Sequence, residues 1–249
     1  MDLHGTACLV TGGTKGIGAA TAVELARCGA DVAIAGRNDD TEAAQVRRQV
    51  QALGRRCVMI VADVSKPEDA ARCVEQTAQQ LGGVDVLVHS AGGPVSGGTL
   101  EIKPEDWFKA FDIHVHAVFF LCRAAVPFMQ RKQEGAIILI SSAAGKRALP
   151  VNTCYQVVKG ALPQFARALA REFANDNIRV NVVAPGVIRT RFHAAMSEAV
   201  KKNNLDNRIP LHREGTAGQV ASLIRELIAN DYVTGETVSI DGGLTMRIA

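Results

Sequence analysis

An excess of charge of either sign is missing from this chain: its 249 residues carry 28 Lys and Arg against 25 Asp and Glu, a formal net charge of +3. So small and scattered a balance gives no reason to expect nucleic acid or anionic membrane as a partner, while leaving room for a small anionic ligand. Long apolar runs are missing too. The longest candidates, such as 136–140, are strand-sized and far short of the roughly 20 residues that cross a bilayer, so no membrane association is expected. The start, Met1-Asp2-Leu3-His4-Gly5-Thr6, lacks a basic stretch followed by an apolar one, so no secretory signal is expected and the cytoplasm is the expected location. The six cysteines (Cys8, Cys28, Cys57, Cys73, Cys122, Cys154) include no C-x-x-C pair and are expected as reduced, buried small hydrophobes. Aromatic residues are only 4% and no low-complexity stretch breaks the chain. Disordered and fibrous classes are thereby excluded, and the 47% hydrophobic content is available for a core.

What is present is alternation. Short β-rich runs at 7–11, 31–36, 57–62, 84–89, 136–141, 178–184 and 237–240 are separated by stretches of helical period at 17–28, 41–53, 67–81, 104–131, 152–175 and 216–230. Helices of this length serve as crossovers between parallel strands, and right-handed crossovers gather the strands' C-terminal ends on one edge. The fold class expected is α/β: a single domain over 1–249, with a doubly wound seven-stranded parallel sheet and helices on both faces. Only 187–213, long and rich in Lys, Arg, His and Asn, breaks the rhythm and reads as a mobile substrate lid.

The first strand runs into Gly12-Gly13-Thr14-Lys15-Gly16-Ile17-Gly18 and then a helix. Such a turn lets the backbone approach a pyrophosphate and aims a helix N-terminus at its charge, the signature of dinucleotide binding. Cofactor choice is made at the end of the second strand, about 20 residues on, where a carboxylate would bind the adenosine ribose. Here Ala35-Gly36-Arg37-Asn38 offers a guanidinium instead. Arg37, with Lys15 as a second cation, suits a 2′-phosphate, so NADP(H) is expected over NAD(H). Asp39 and Asp40 are alternative ribose ligands, or helix N-caps.

Tyr155 and Lys159 stand four apart in a helical stretch, on one face. A cation about 4 Å from a phenol, at an effective dielectric of 20, contributes roughly 4 kcal/mol, enough to bring a pKa near 10 down by about three units. Ser142, just past the fifth strand, falls on the same edge as the glycine loop. Hydride transfer to a carbonyl builds charge on oxygen that Ser142 can stabilise while Tyr155 delivers the proton. Ser141 reads as a strand-end cap. Pro163, four residues after Lys159, removes the amide that would have bonded the Lys159 carbonyl.

In this combination the chain resembles the short-chain dehydrogenase/reductase family over nearly its whole length. The residues carrying the likeness are Thr11 through Gly18, Asp63-Val64, Ser90-Ala91-Gly92, Ser142, Tyr155 with Lys159, Pro185-Gly186 through Thr190, and Asp241-Gly242-Gly243. The resemblance implies a single-domain Rossmann fold, a tyrosine acid/base, a lysine that also binds the nicotinamide ribose, and a serine that orients substrate. It places Asp63 and Val64 beside the adenine, Ser90, Ala91 and Gly92 at the cofactor, and Pro185, Gly186, Val187 and Thr190 toward the nicotinamide. It also implies a homotetramer or homodimer packed through the long helices 104–131 and 152–175.

Two departures stand out: Ser90-Ala91-Gly92, preceded by His89, replaces the family's Asn-Ala-Gly, and His114 replaces the asparagine of a proton relay to lysine. A substitute relay through the two ring nitrogens of His114 is the expectation. His114 and His116, two apart on a helix, face different ways, and no metal is expected. For substrate, Lys146 suggests an acidic group, Asn152 and Gln156 a polyol, Leu149 and Val151 an apolar chain, with His193 a further contact in the lid; these remain unranked. The function expected is an NADP(H)-dependent carbonyl reductase or alcohol dehydrogenase acting on a small-molecule ketone or secondary alcohol. The alternatives are an NAD-linked sugar or polyol dehydrogenase and a non-catalytic NADP-binding redox sensor.

Overall fold

A computed structural model describes residues 1–190 and 196–246. Six strands, β1 (Ala7–Thr11), β2 (Asp31–Gly36), β3 (Cys57–Val61), β4 (Val86–His89), β5 (Gly135–Ile140) and β6 (Ile178–Pro185), lie parallel in one sheet. Short strands β7 (Ile188–Arg189) and β8 (Gly215–Thr216) pair with each other outside it, and β9 (Thr237–Ile240) completes the order β3-β2-β1-β4-β5-β6-β9. β1, β5 and β6 are buried along their whole length, as apolar runs covered on both faces must be. Alternate residues feed two cores. Cys8 and Val10 pack with Leu25 of α1 (Gly16–Arg27), Val46 of α2 (Thr41–Ala52) and Ile224 near the C-terminus. Leu9 packs on the opposite face with Val74 of α3 (Pro67–Leu81).

The chain runs outward from β1 to β3 and returns to β4, so the order reverses between β1 and β4. A crevice opens beyond the carboxyl ends of the strands at such a switch point. β4 begins two residues later than expected, because the Asp85 carboxylate accepts the Ala7 amide at 2.8 Å and the Lys132 ammonium. Cys28 and Cys57 are partly exposed, unlike the other four cysteines, which are buried as expected.

The expected single helix over 104–131 is instead α4 (Pro104–Phe111), a π-turn (Asp112–His116) and α5 (Ala117–Lys132). Within the turn the Ala117 amide reaches back five residues to the Asp112 carbonyl, which takes the Ile113 carbonyl out of the α-helical register. By length and composition Pro104–Lys132 is apolar enough to cross a membrane. Its Ala117, Val118, Leu121, Ala125 and Met129 belong to the core under the sheet.

Helix α6 (Thr153–Glu172) docks on the end of β5 through two reciprocal hydrogen bonds. The Lys159 ammonium donates to the Ile140 carbonyl at 2.8 Å, and the Ser141 hydroxyl donates to the Lys159 carbonyl at 2.7 Å. Pro163, inside the helix, is what leaves that carbonyl open. Ser141→Ala is therefore expected to cost about 1–3 kcal/mol, the penalty of an unsatisfied buried acceptor, and adding Pro163→Ala should recover part of it by restoring an amide four residues on. Urea denaturation of the single and double variants measures both.

Candidate active site

The glycine loop is built for contact without side chains. Gly12 has φ +65°, and a Cβ there would lie 2.8 Å from the Ala91 backbone; at Gly18 a Cβ would lie 2.2 Å from the Gly12 carbonyl oxygen. The loop therefore presses on the 90–92 turn and coils directly into α1, whose N-cap Lys15 supplies no side-chain hydrogen bond to the first amides. Those amides are the donors a helix N-terminus offers to an anion. Thr190 closes over the loop, its methyl 3.5 Å from the Cβ position of Gly16, and Thr14 packs under Gly36 at the end of β2.

Arg37 leaves the end of β2 exposed and makes no hydrogen bond or ion pair among the described residues. Lys15 is not the free second cation expected from the sequence: its ammonium lies 3.1 Å from Asp40 and 2.8 Å from Glu42. Asp40 accepts the Glu42 and Ala43 amides as the N-cap of α2, and Asp39 pairs with Arg47 at 3.2 Å, so both carboxylates take the capping and ion-pair roles rather than standing free. Beyond β3 the Asp63 carboxylate accepts the Ser65 hydroxyl at 2.7 Å, and Val64 is buried. Gly186 packs against Asp241, and the Val187 carbonyl accepts the Gly215 amide.

A hydrogen-bonded chain missed by the sequence reading joins this loop to the π-turn. His89 is buried, and burial, aided by the charge of Lys159, pushes its pKa down to about 4, so the ring is neutral. Its Nε2 stands 3.0 Å from the Ile113 carbonyl, which can only accept, so Nε2 carries the proton. Nδ1 then accepts the Thr11 hydroxyl at 2.9 Å, and the Thr11 oxygen accepts the Ala91 amide at 3.4 Å. The carbonyl displaced by the π-turn is the one His89 holds.

His114 lies within the site, with its ring edge-on to Tyr155 at a centroid separation of 6.0 Å. Its Nε2 donates to the Gly93 carbonyl at 3.1 Å; Nδ1, facing Gly92, has no partner among the described residues. Burial, then Lys159 and His89, push its pKa down to about 2. Of the two ring nitrogens the expected relay would use, Nε2 is spent on the loop backbone, and the neutral ring stands beside Tyr155. His116 turns outward to Asp112.

Ser142, the N-cap of a short 3-10 turn, accepts the Ala144 amide at 3.2 Å, which leaves its own proton to donate, and its side chain lies near enough to the Tyr155 phenol to lower that group's pKa. The phenol is not acidified here: burial pushes its pKa up and the nearby Ser142 hydroxyl only partly offsets this. The Lys159 ammonium lies 5.8 Å from the ring centroid, and burial brings its own pKa down to about 7. The lysine yields to desolvation before the phenol does.

Two of the four substrate candidates are occupied elsewhere. The Lys146 ammonium donates to the Ser239 hydroxyl at 2.8 Å, while the Gln156 amide bonds the Leu149 amide and carbonyl and the Val151 carbonyl. Asn152 holds a left-handed φ of +68° at the head of α6. His193 lies outside the described residues. The segment read as a lid contains β7, helix α7 (Glu198–Asn203) and a second π-turn (Asn204–Arg208); Ile209 is buried and Leu211 donates its amide to Gly242.

A family profile described as enoyl-(acyl carrier protein) reductase matches residues 12–245. A tropinone reductase homolog of Arabidopsis thaliana is 36% identical over 99% of this chain and 92% of its own length. The 3-oxoacyl-[acyl-carrier-protein] reductase FabG of Thermotoga maritima is 34% identical over 99% and 100%. The chain belongs to the short-chain dehydrogenase/reductase family. A solved short-chain alcohol dehydrogenase of Sinorhizobium meliloti 1021 shares the fold at TM-score 0.94 and 33% identity, with 99% of each chain covered. A short-chain dehydrogenase from Burkholderia cenocepacia J2315, solved in complex with NADP, does so at 0.90 and 30%, covering 98% of this chain and 99% of its own. As a short-chain dehydrogenase/reductase the protein is an oxidoreductase, and its family includes a glucose 1-dehydrogenase of Gluconobacter oxydans, 35% identical over 97% of this chain and 92% of its own length.

The two neutral imidazoles carry a pH signature. Their folded pKa values of about 4 and about 2 lie below the ordinary 6.5, so between pH 4 and 6.5 the unfolded chain binds protons the folded one refuses, and stability falls as pH falls through that window. His89→Gln keeps a donor for the Ile113 carbonyl but cannot titrate. Its unfolding free energy should depend less steeply on pH there, by up to about 1.4 kcal/mol per pH unit, in urea titrations at pH 4.5, 5.5 and 6.5.

Proposed function

We propose that the protein is an NADP(H)-dependent oxidoreductase interconverting a ketone and a secondary alcohol, with Tyr155 as acid/base. The observation that carries this reading is the Tyr155 ring 5.8 Å from the buried Lys159 ammonium, with Ser142 beside the phenol, at the sheet edge where the glycine loop opens. The tight packing at Gly12, Gly13 and Gly18, the uncapped start of α1 and an Arg37 with no partner among the described residues fit a dinucleotide with an extra phosphate. Gly12, Thr14, Gly16, Ile17 and Gly18 would hold its pyrophosphate, Arg37 its 2′-phosphate, Asp63, Val64 and Ser90 through Gly92 its adenosine half, and Lys159, Val187 and Thr190 its nicotinamide half. When bound, it supplies or accepts the hydride.

The chain's own groups handle the proton. Ser142 donates to the carbonyl oxygen as negative charge grows there, Tyr155 delivers the proton, and Lys159 favours the phenolate left behind. His114 keeps a neutral surface beside the phenol, so the one cation near Tyr155 is Lys159 in this scheme. Residues 187–190 and 196–213 would border the substrate. Exposed Phe119 and Val157, on α5 and α6, support a homodimer or homotetramer through those helices.

An NAD-linked sugar dehydrogenase is the second reading, supported by the glucose 1-dehydrogenase relative. Arg37→Asp distinguishes them: KM for NADPH should rise about 10- to 100-fold while KM for NADH changes little, whereas an NAD-linked enzyme would lose nothing with NADH and show no NADPH preference to lose. Tyr155→Phe should lower kcat about 100- to 10,000-fold with dinucleotide affinity retained; equal rates in parent and variant would favour a redox sensor.

A further inference from the structure

We infer that Asp40 and Glu42 set how strongly the protein discriminates NADP(H) from NAD(H), by competing with the 2′-phosphate for the Lys15 ammonium. The inference rests on the proposed cofactor site and adds two residues that act against its extra phosphate.

The glycine loop lies along the end of β2. The Gly13 amide donates to the Ala35 carbonyl at 3.3 Å, and a Cβ at Gly36 would lie 3.0 Å from the Thr14 methyl. Lys15 and Arg37 each follow that contact by one residue, which brings both cations to the end of β2, where the adenosine ribose of a dinucleotide sits.

Only one of the two is unengaged. Arg37 is exposed and makes no hydrogen bond or ion pair among the described residues. Lys15 reaches from the N-cap of α1 to the first turn of α2, its ammonium 2.8 Å from Glu42 and 3.1 Å from Asp40. Those hydrogen bonds, Glu42 first and Asp40 second, hold its pKa above the ordinary lysine value, so the ammonium stays charged and its charge is spent on carboxylates. Asp39, the other acid on this stretch, is balanced by Arg47 at 3.2 Å. An incoming phosphate therefore meets Lys15 and Arg37 set against Asp40 and Glu42.

A phosphate arriving at Lys15 must displace both carboxylates or lie beside them, and like charges brought together cost affinity. NAD(H), with no phosphate on that ribose, meets no such cost. Lys15, Asp40 and Glu42 are all partly exposed, so water and salt screen the effect and the ion pairs can open; the cost is a modest factor rather than exclusion. The charge of Asp40 is separable from its capping role. Oδ1 accepts the Glu42 and Ala43 amides, while Oδ2 takes Lys15. Asparagine keeps a capping oxygen and drops the charge.

The test is the dissociation constant of NADPH and of NADH for the full-length protein without substrate, read from reduced-nicotinamide fluorescence at low ionic strength. Glu42→Gln and Asp40→Asn are each expected to tighten NADPH about 3-fold, and about 10-fold together, with NADH unchanged within about 2-fold. Adding Lys15→Gln to the double variant should reverse most of the gain. An NADPH-to-NADH ratio unchanged in both single variants, a gain that survives Lys15→Gln, or NADH binding weakened about 10-fold in Asp40→Asn, which would make that carboxylate a ribose ligand, overturns the inference. In each of those cases Arg37→Asp still tests the cofactor reading separately. A parent protein that binds neither dinucleotide overturns both.

Discussion

A lysine buried where α6 meets the end of β5 constrains everything else at the candidate site. Taking an ammonium out of water is costly unless its donors are satisfied, and Lys159 meets that cost by donating to the Ile140 carbonyl at the last residue of the strand. The reciprocal bond from Ser141 to the Lys159 carbonyl closes the seam. With helix and strand locked together, Tyr155, one turn before Lys159, and Ser142, one residue past Ser141, have little freedom relative to each other. The two bonds thereby set the geometry of Ser142 and Tyr155 relative to Lys159. Pro163 belongs to the same device, since a residue with an amide in its place would compete for the Lys159 carbonyl.

Most of the sheet was legible because its strands are buried on both faces and read as unbroken apolar runs, with helix periods between them. Helix ends were legible where a side chain marks them. Asp40 caps α2, Pro67 opens α3, and helix α8 (Ala217–Ala229) begins with a reciprocal cap between Thr216 and Gln219. The π-turn at Asp112–His116 carries no such mark. It contains neither proline nor glycine, and the partner that satisfies its displaced carbonyl is His89, 24 residues earlier on another strand. A local pattern contains no trace of a bond that exists only once the sheet has formed.

The site divides along the same line. Positions followed from the topology, since residues just past strand ends gather on one edge, and so Ser142, Tyr155, Lys159 and the glycine loop were found together. Availability did not follow. Lys15, Lys146 and Gln156 all read as free polar groups, yet each is claimed by a neighbouring carboxylate, a hydroxyl or a stretch of loop backbone. Whether a polar side chain serves a ligand or the protein depends on which unsatisfied groups the folded backbone leaves within reach, and these include the displaced Ile113 carbonyl and the open Lys159 carbonyl.

The acidity of Tyr155 is the sharpest case. Arithmetic at 4 Å assumed a full positive charge on Lys159, but burial draws the lysine down to about 7 and pushes the phenol up, so in this environment each group resists its charged form. An ammonium has three donors, and one is used by Ile140. Any acceptor brought to the other two would favour the charged lysine. A charged lysine, in a cavity whose two neighbouring imidazoles stay neutral, would in turn favour the phenolate. Coupling between the two groups is therefore conditional on what else binds there, which would keep the phenol protonated, as a proton donor must be, until the site is filled. The neutrality of His89 and His114 is part of that condition, because a second cation beside Lys159 would push its proton off rather than hold it.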